Sequence, residues 1–146
     1  GQSSLLFYDF LRHFGGSLIS IDINIVYLDI CDKFIKKYNF TDVSKHIPNF
    51  KQIHCDSVLE LSKLDSNFDL IYLDSFDLEL GNPEPSMVHH LKEMVSLSKV
   101  ISKSKDLIIA VDDNFGNIGK GKYVMDWAKS INADILYEGY QVIFKL

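Results

Sequence analysis

Asp22, Asp56-Ser57, Asp74-Ser75 and Asp112-Asp113-Asn114 each follow a short apolar run, so a carboxylate stands wherever a buried strand would end. Charged side chains gathered on one rim cost repulsion and desolvation unless a ligand or a metal ion compensates. If the runs are parallel strands of one sheet, these residues line the edge at which doubly wound folds bind ligands. A carboxylate accepts hydrogen bonds from both hydroxyls of a ribose diol. Asp22 lies about twenty positions after Gly1, the interval between a phosphate-loop glycine and a ribose-binding acid. Gly1-Gln2-Ser3-Ser4 opens a helix whose exposed N–H groups and dipole suit a carboxylate or phosphate. Asp22 would equally well cap the helix entered after Ile23.

Asp56 suits an adenine amino group, with Ser57 lining the ring, and would also make a good N-cap for the helix behind it. Asp74, Asp113 and Asn114 offer three oxygen ligands to a hard cation such as Mg2+, which keeps waters or substrate oxygens in its other positions. Carboxylates are also ordinary turn formers at such sites. His89 and His90 are neighbours on a helix, point in different directions and suit one metal poorly. The glycine-bearing loop over 116–121 lacks the spacing and the Ser/Thr of a nucleoside-triphosphate site and is expected to be a mobile flap.

The elements that must hold these residues alternate between helix and strand. A helix over 3–14 carries Leu6, Phe10 and Phe14 at four-residue spacing and closes at Gly15-Gly16. A strand over 17–21 leads to Asp22, and a helix over 25–38 aligns Leu28, Cys31, Ile35 and Tyr38 on one face. A strand over 50–55 and a helix over 57–64 follow. Residues 68–73 form a nearly continuous apolar run, as in a strand buried on both faces of a parallel sheet. A polar connection with Pro83 and Pro85 leads to a helix over 86–98. The most apolar strand, over 107–111, runs into Asp112. A helix over 123–131 precedes strands over 134–137 and 141–145, joined by a hairpin turn at Glu138-Gly139-Tyr140. Right-handed crossovers then give an α/β, Rossmann-like, doubly wound and mostly parallel sheet with an antiparallel C-terminal hairpin. The chain opens on a helix, so the first strand of such a fold is expected upstream of residue 1.

With 146 residues, 47% of them hydrophobic, one core and a single domain are expected. The net charge of −5 leaves no cationic surface for a phosphate backbone, which excludes a nucleic-acid partner. No window approaches the ~20 apolar residues of a membrane span, and no signal peptide is recognisable. Cys31 and Cys55 fit no metal or redox spacing and read as thiols in a reducing compartment, so a cytoplasmic protein is expected.

The same residues resemble the class I S-adenosylmethionine-dependent methyltransferases, specifically the catechol and macrocin O-methyltransferase-like branch. Gly1-Gln2-Ser3-Ser4 is similar to the tail of that family's glycine-rich first motif. Residues 19–24, Ile-Ser-Ile-Asp-Ile-Asn, are similar to its second, and Ile53-His54-Cys55-Asp56-Ser57 to the segment framing adenine. Residues 68–74 and 110–114 resemble the fourth and fifth strands with their metal-binding ends. The resemblance implies a cofactor site of Gly1, Ser3, Asp22, Ile23, Asp56, Ser57 and Asp74, and a metal site of Asp74, Asp113 and Asn114. The acidic and glycine residues that normally precede Gly1 are absent. Where the family commonly has Lys or His three residues beyond the metal-binding Asp, this chain has Asp77, which would need burial or a shared proton to act as an effective base.

The expected activity is methyl transfer from S-adenosylmethionine to a hydroxyl of a small-molecule acceptor, assisted by Mg2+ or another divalent cation, with Asp74 and Asp77 as catalytic candidates. A homodimer is allowed for. An NAD(P)-dependent Rossmann oxidoreductase is the alternative enzyme, since Asp22 suits it equally. A methyltransferase-like binding domain without turnover is the third reading.

Overall fold

The apolar runs become strands and the segments between them helices. In a computed structural model that describes residues 2–41, 46–116 and 118–146, the order is α1 (Gln2–Phe14), β1 (Ser17–Asp22), α2 (Ile25–Thr41), β2 (Asn49–His54), α3 (Ser57–Leu61), β3 (Leu70–Leu73), α4 (Glu84–Ser96), α5 (Ser98–Lys103), β4 (Ile108–Val111), β5 (Asn114–Phe115), β6 (Ile118–Gly119), α6 (Lys122–Ser130), β7 (Asp134–Glu138) and β8 (Val142–Lys145). The chain divides into two units, Gly1–Ser57 and Val58–Leu146.

In the first unit β1 and β2 pair in parallel, from Ser17 opposite Asn49 to Asp22 opposite His54. Tyr8, Cys31 and Ile35 form the core, with Leu5, Leu18 and Phe50 packed against it. The Tyr8 and Phe50 rings meet edge to face, their centres 5.5 Å apart. Leu28, Cys31 and Ile35 are buried as the helical period of α2 requires; the Tyr38 side chain lies outside the described residues. Burial raises the Cys31 thiol above its ordinary value. On α1 the buried face is not the expected one. Tyr8 and Arg12 are buried, whereas Leu6, Phe10 and Phe14 are 74%, 57% and 71% exposed. Gly15 ends α1 with a left-handed φ of +80° and an amide bonded to the Leu11 carbonyl at 2.7 Å, the glycine cap that a side chain would strain.

In the second unit the strand order is β3-β4-β8-β7. β3 and β4 are parallel, and β8 enters antiparallel between β4 and β7. The C-terminal hairpin therefore joins the sheet through its last strand and leaves β7 at the edge. Ile109, Val111 and Phe144 from this sheet are buried, as are Val100, Val124 and Ala128 from the helices and Leu97 at the junction of α4 and α5. α4 packs against α6. Among the described residues the strands form three sheets, the third being the short antiparallel pair β5–β6. Its second strand falls inside the loop over 116–121 expected to be a mobile flap, and α5 is likewise an element the sequence pattern did not separate from α4.

Candidate functional site

The carboxyl end of the β1–β2 pair carries Asp22 and Asp56. Parallel pairing places Asp22 beside His54, and the Cys55 amide bonds to the Asp22 carbonyl at 3.2 Å, so Asp56 follows directly at the same end. Asp22 Oδ1 accepts from the Asn24 amide at 2.8 Å. Asn24 Oδ1 in turn accepts from the Val26 amide at 3.0 Å and so caps α2. The capping role considered for Asp22 is thus taken by Asn24, with Asp22 bracing the turn before it. Ile23 is 70% exposed, and its carbonyl contacts His54 Nε2 at 2.9 Å.

Ser3 stands in the first turn of α1, and the neighbouring Ser4 hydroxyl bonds to that of Ser20 at 2.8 Å. Because Ser20 is two residues short of Asp22, this contact holds the start of α1 beside the carboxyl half of β1. Ser57 opens α3 directly after Asp56. Ser3, Asp22, Ile23, Asp56 and Ser57 therefore gather at one end of the first unit. Gly1 lies outside the described residues.

The carboxyl end of the β3–β4 pair carries the other acidic residues, the Asp112 amide bonding to the Leu73 carbonyl at 3.1 Å. Their arrangement differs from a cation site. Lys120, whose side chain is 2% exposed, places its ammonium 2.8 Å from Asp74 Oδ1 and 2.9 Å from Asp113 Oδ2. Burial works against the lysine charge, yet the hydrogen bonds and charges of Asp74 and Asp113 hold it above the ordinary lysine value. Asp113 also accepts from the Tyr140 hydroxyl through Oδ1. Burial pushes the Asp113 carboxyl up, but Tyr140 and Lys120 more than offset this and leave it below the usual range. The backbone of Asp113 is left-handed, with φ +53°.

Asn114, expected as a third metal ligand, turns into its own loop. Its Nδ2 donates to the Val111 carbonyl at 2.9 Å and the Asp112 carbonyl at 3.1 Å, and its Oδ1 accepts from the Gly121 amide at 2.7 Å. Both ends of the amide are spent on backbone, so Asn114 builds the loop that presents Lys120. A Cβ at Gly119 would lie 2.5 Å from Asn114 Cα, and one at Gly121 would lie 2.4 Å from Val142 Cγ2. Only glycine fits at either position, which explains why a glycine-rich segment here is packed in place rather than a flap.

Asp77 is exposed in the loop after β3, so the burial that an effective base would require is not found there. Asp112 accepts from the Tyr72 hydroxyl. His90 is fully buried on α4, its Nδ1 bonded to the Ser86 carbonyl at 2.8 Å, and burial lowers it below the ordinary histidine value. Its Nε2 is 3.8 Å from Glu93, too far for a hydrogen bond. A separate cleft of about 270 Å3 beside α6 is lined by Asn114, Lys122, Asp126, Lys129 and Glu138, and includes neither Asp74 nor Asp113.

Among the described residues no group of three or more His, Cys, Asp or Glu side chains is arranged to hold a metal ion, and no helix is long and apolar enough to cross a membrane. Lys120 is the site residue the sequence reading missed. Its signal was available: a lysine bracketed by glycines, in a loop that follows the most acidic strand end in the chain.

No protein-family model matches the chain, and no curated protein matches it. Among solved structures, the fold is similar to that of a methyltransferase homolog protein from Pyrococcus horikoshii, with a TM-score of 0.59 at 14% sequence identity. The likeness covers 85% of this chain and 40% of that one, so the chain spans less than half of its neighbour's length. At that identity the likeness is one of fold: the chain has a methyltransferase-like mixed α/β fold.

Proposed function

We propose that this chain is an S-adenosylmethionine-dependent methyltransferase domain that methylates an oxygen of a small hydroxylated acceptor. The observation that carries the proposal is the gathering of Asp22, Asp56 and the first turn of α1 at one end of the β1–β2 pair, held there by the Ser4–Ser20 hydrogen bond. These groups fit the cofactor. The Asp22 carboxylate suits the ribose diol, with Ile23 flanking it. Asp56 and Ser57 suit the adenine. Gly1, Ser3 and the amides of the first turn suit the methionine carboxylate, because helix N-termini leave N–H groups without intrahelical partners. The fold likeness to a methyltransferase homolog supports the same assignment.

When bound, S-adenosylmethionine supplies a methyl group already activated by its sulfonium. The protein has only to orient the acceptor and take up its proton. Asp74, at the end of β3, is the proposed group for that task, and Asp77, exposed on the loop beyond it, is proposed only to help orient the acceptor. The Asp74, Asp113 and Asn114 set does not fit a divalent cation, because Lys120 bridges the two carboxylates and Asn114 is spent on backbone.

The test is calorimetry on the full chain with S-adenosylhomocysteine and NAD side by side. S-adenosylhomocysteine is expected to bind, and Asp22→Ala to weaken it about 10- to 100-fold, the value of one or two hydrogen bonds to a charged group. Binding of NAD in its place would favour the oxidoreductase. Cofactor binding without turnover on any alcohol or phenol would leave a binding domain.

A further inference from the structure

Two carboxylates at one strand edge invite a divalent ion, and this fold answers them with a side chain of its own. We propose that Lys120 is the resident cation of the Asp74–Asp113 pair, holding the two carboxylates together so that they receive an uncharged hydrogen-bond donor, an alcohol or amine, without a divalent metal.

Three features of the second unit carry this inference. First, the ammonium is 2% exposed while the Asp74 and Asp113 side chains keep 34% and 30% of their surface open. An incoming molecule therefore meets the two carboxylate side chains before the ammonium, and the lysine acts behind them as a positioning residue. Second, the lysine is delivered by a built loop. Its amide bonds to the Asp113 carbonyl at 3.2 Å, and its glycine neighbours are packed so closely against Asn114 and Val142 that no Cβ fits. The backbone that carries the lysine is thereby held in place. Third, Asp113 has both oxygens engaged, one by Lys120 and one by Tyr140. A divalent ion between these carboxylates would have to displace both donors and then sit against the displaced, buried ammonium, a like charge in a poorly hydrated place.

The inference does not depend on which cofactor the first unit takes, so S-adenosylhomocysteine binding, read on the same samples, fails or succeeds separately. The probe is Mn2+, followed by loss of its free electron paramagnetic resonance signal on titration with the full chain. The wild type is expected to leave that signal intact up to about 1 mM, the weak end of protein sites for hard cations. Lys120→Ala and the longer, neutral Lys120→Gln remove the ammonium from between the two carboxylates. Each is expected to bind one Mn2+ at least about tenfold more tightly than the wild type, and to lose it again when Asp74→Asn is added. A wild-type chain that binds Mn2+ and loses it in Asp74→Asn would overturn the proposal without any lysine variant being needed. Folded lysine variants that gain no Mn2+ would overturn it too, since the lysine would then not be what keeps the ion out.

Discussion

Lys120→Met would keep most of the length of the side chain and remove its charge together with its hydrogen-bond donors. The wild-type ammonium sits 2.8 Å and 2.9 Å from two carboxylates and is itself 2% exposed. Removing one partner of a buried ion pair costs about 3–5 kcal/mol, mostly because the opposite charge is left behind. Here the carboxylates remain 34% and 30% exposed, and water screens what is left, which brings the expected cost to about 2 kcal/mol. For a domain of this size that lowers Tm by about 4–8 °C.

The pH dependence follows from the two shifts. Asp113 lies below its ordinary value in the folded chain, so its contribution is present above the unfolded carboxylate value and is lost as pH falls through the folded one. Lys120 lies above its ordinary value, so its contribution is present below the unfolded lysine value and is lost as pH rises through the folded one. The Lys120→Met deficit is therefore widest between about pH 5 and pH 10 and narrows outside that window. Thermal melts of both chains across that range provide the assay. A deficit under about 1 °C at neutral pH, or one that stays level down to about pH 3, would refute the reasoning.

The Tyr140 hydroxyl donates to Asp113, and that hydrogen bond with the nearby charge raises the phenol to about 12. Ultraviolet titration of Asp113→Asn is expected to bring it back toward the ordinary value of about 10, and an unmoved phenol would contradict the contact. Gly121→Ala would drive a Cβ to 2.4 Å from Val142 and 2.8 Å from Asn114 Oδ1. An overpacking loss of about 1–3 kcal/mol in denaturant unfolding is expected, and an unchanged midpoint counts against the loop packing. On α1, Tyr8→Ala should cost about 3 kcal/mol or more, whereas Phe10→Lys should stay within about 0.5 kcal/mol. Equal losses would mean that the helix buries its other face.

The strands and the acidic residues after them were legible because both are local. An apolar run such as Leu70–Leu73 buries at least Ile71 and Leu73, and the polar residue that ends it falls at the sheet's rim. The helices other than α5 were equally plain, but the face of α1 was not. Its sequence offers two stripes, Leu6-Phe10-Phe14 and Leu5-Tyr8-Arg12, each at helical spacing. Periodicity weighs hydrophobicity and so chose the aromatic stripe, whereas the structure buries the one that carries an arginine. The β5–β6 pair escaped notice because its strands have two residues each, too short for any period, and exist through the hydrogen bonds of Asn114. At the candidate site the residue types were readable and their partners were not. Asp74 and Lys120 are 46 positions apart, and no local pattern links them; their meeting follows from β3 and β4 lying side by side and the Asn114 loop turning back.

Asp113 also carries a lesson about which residue types its position would accept. At a φ of +53°, side chains other than glycine, asparagine and aspartate are penalised by contact with their own main chain. Glutamate would bring the needed negative charge on a stem that this conformation disfavours. Asparagine and glycine would suit the conformation and arrive neutral. Aspartate alone among the twenty satisfies both demands, so a library randomised at this codon and selected for folding should keep three letters, and one selected for the charged triad should keep one.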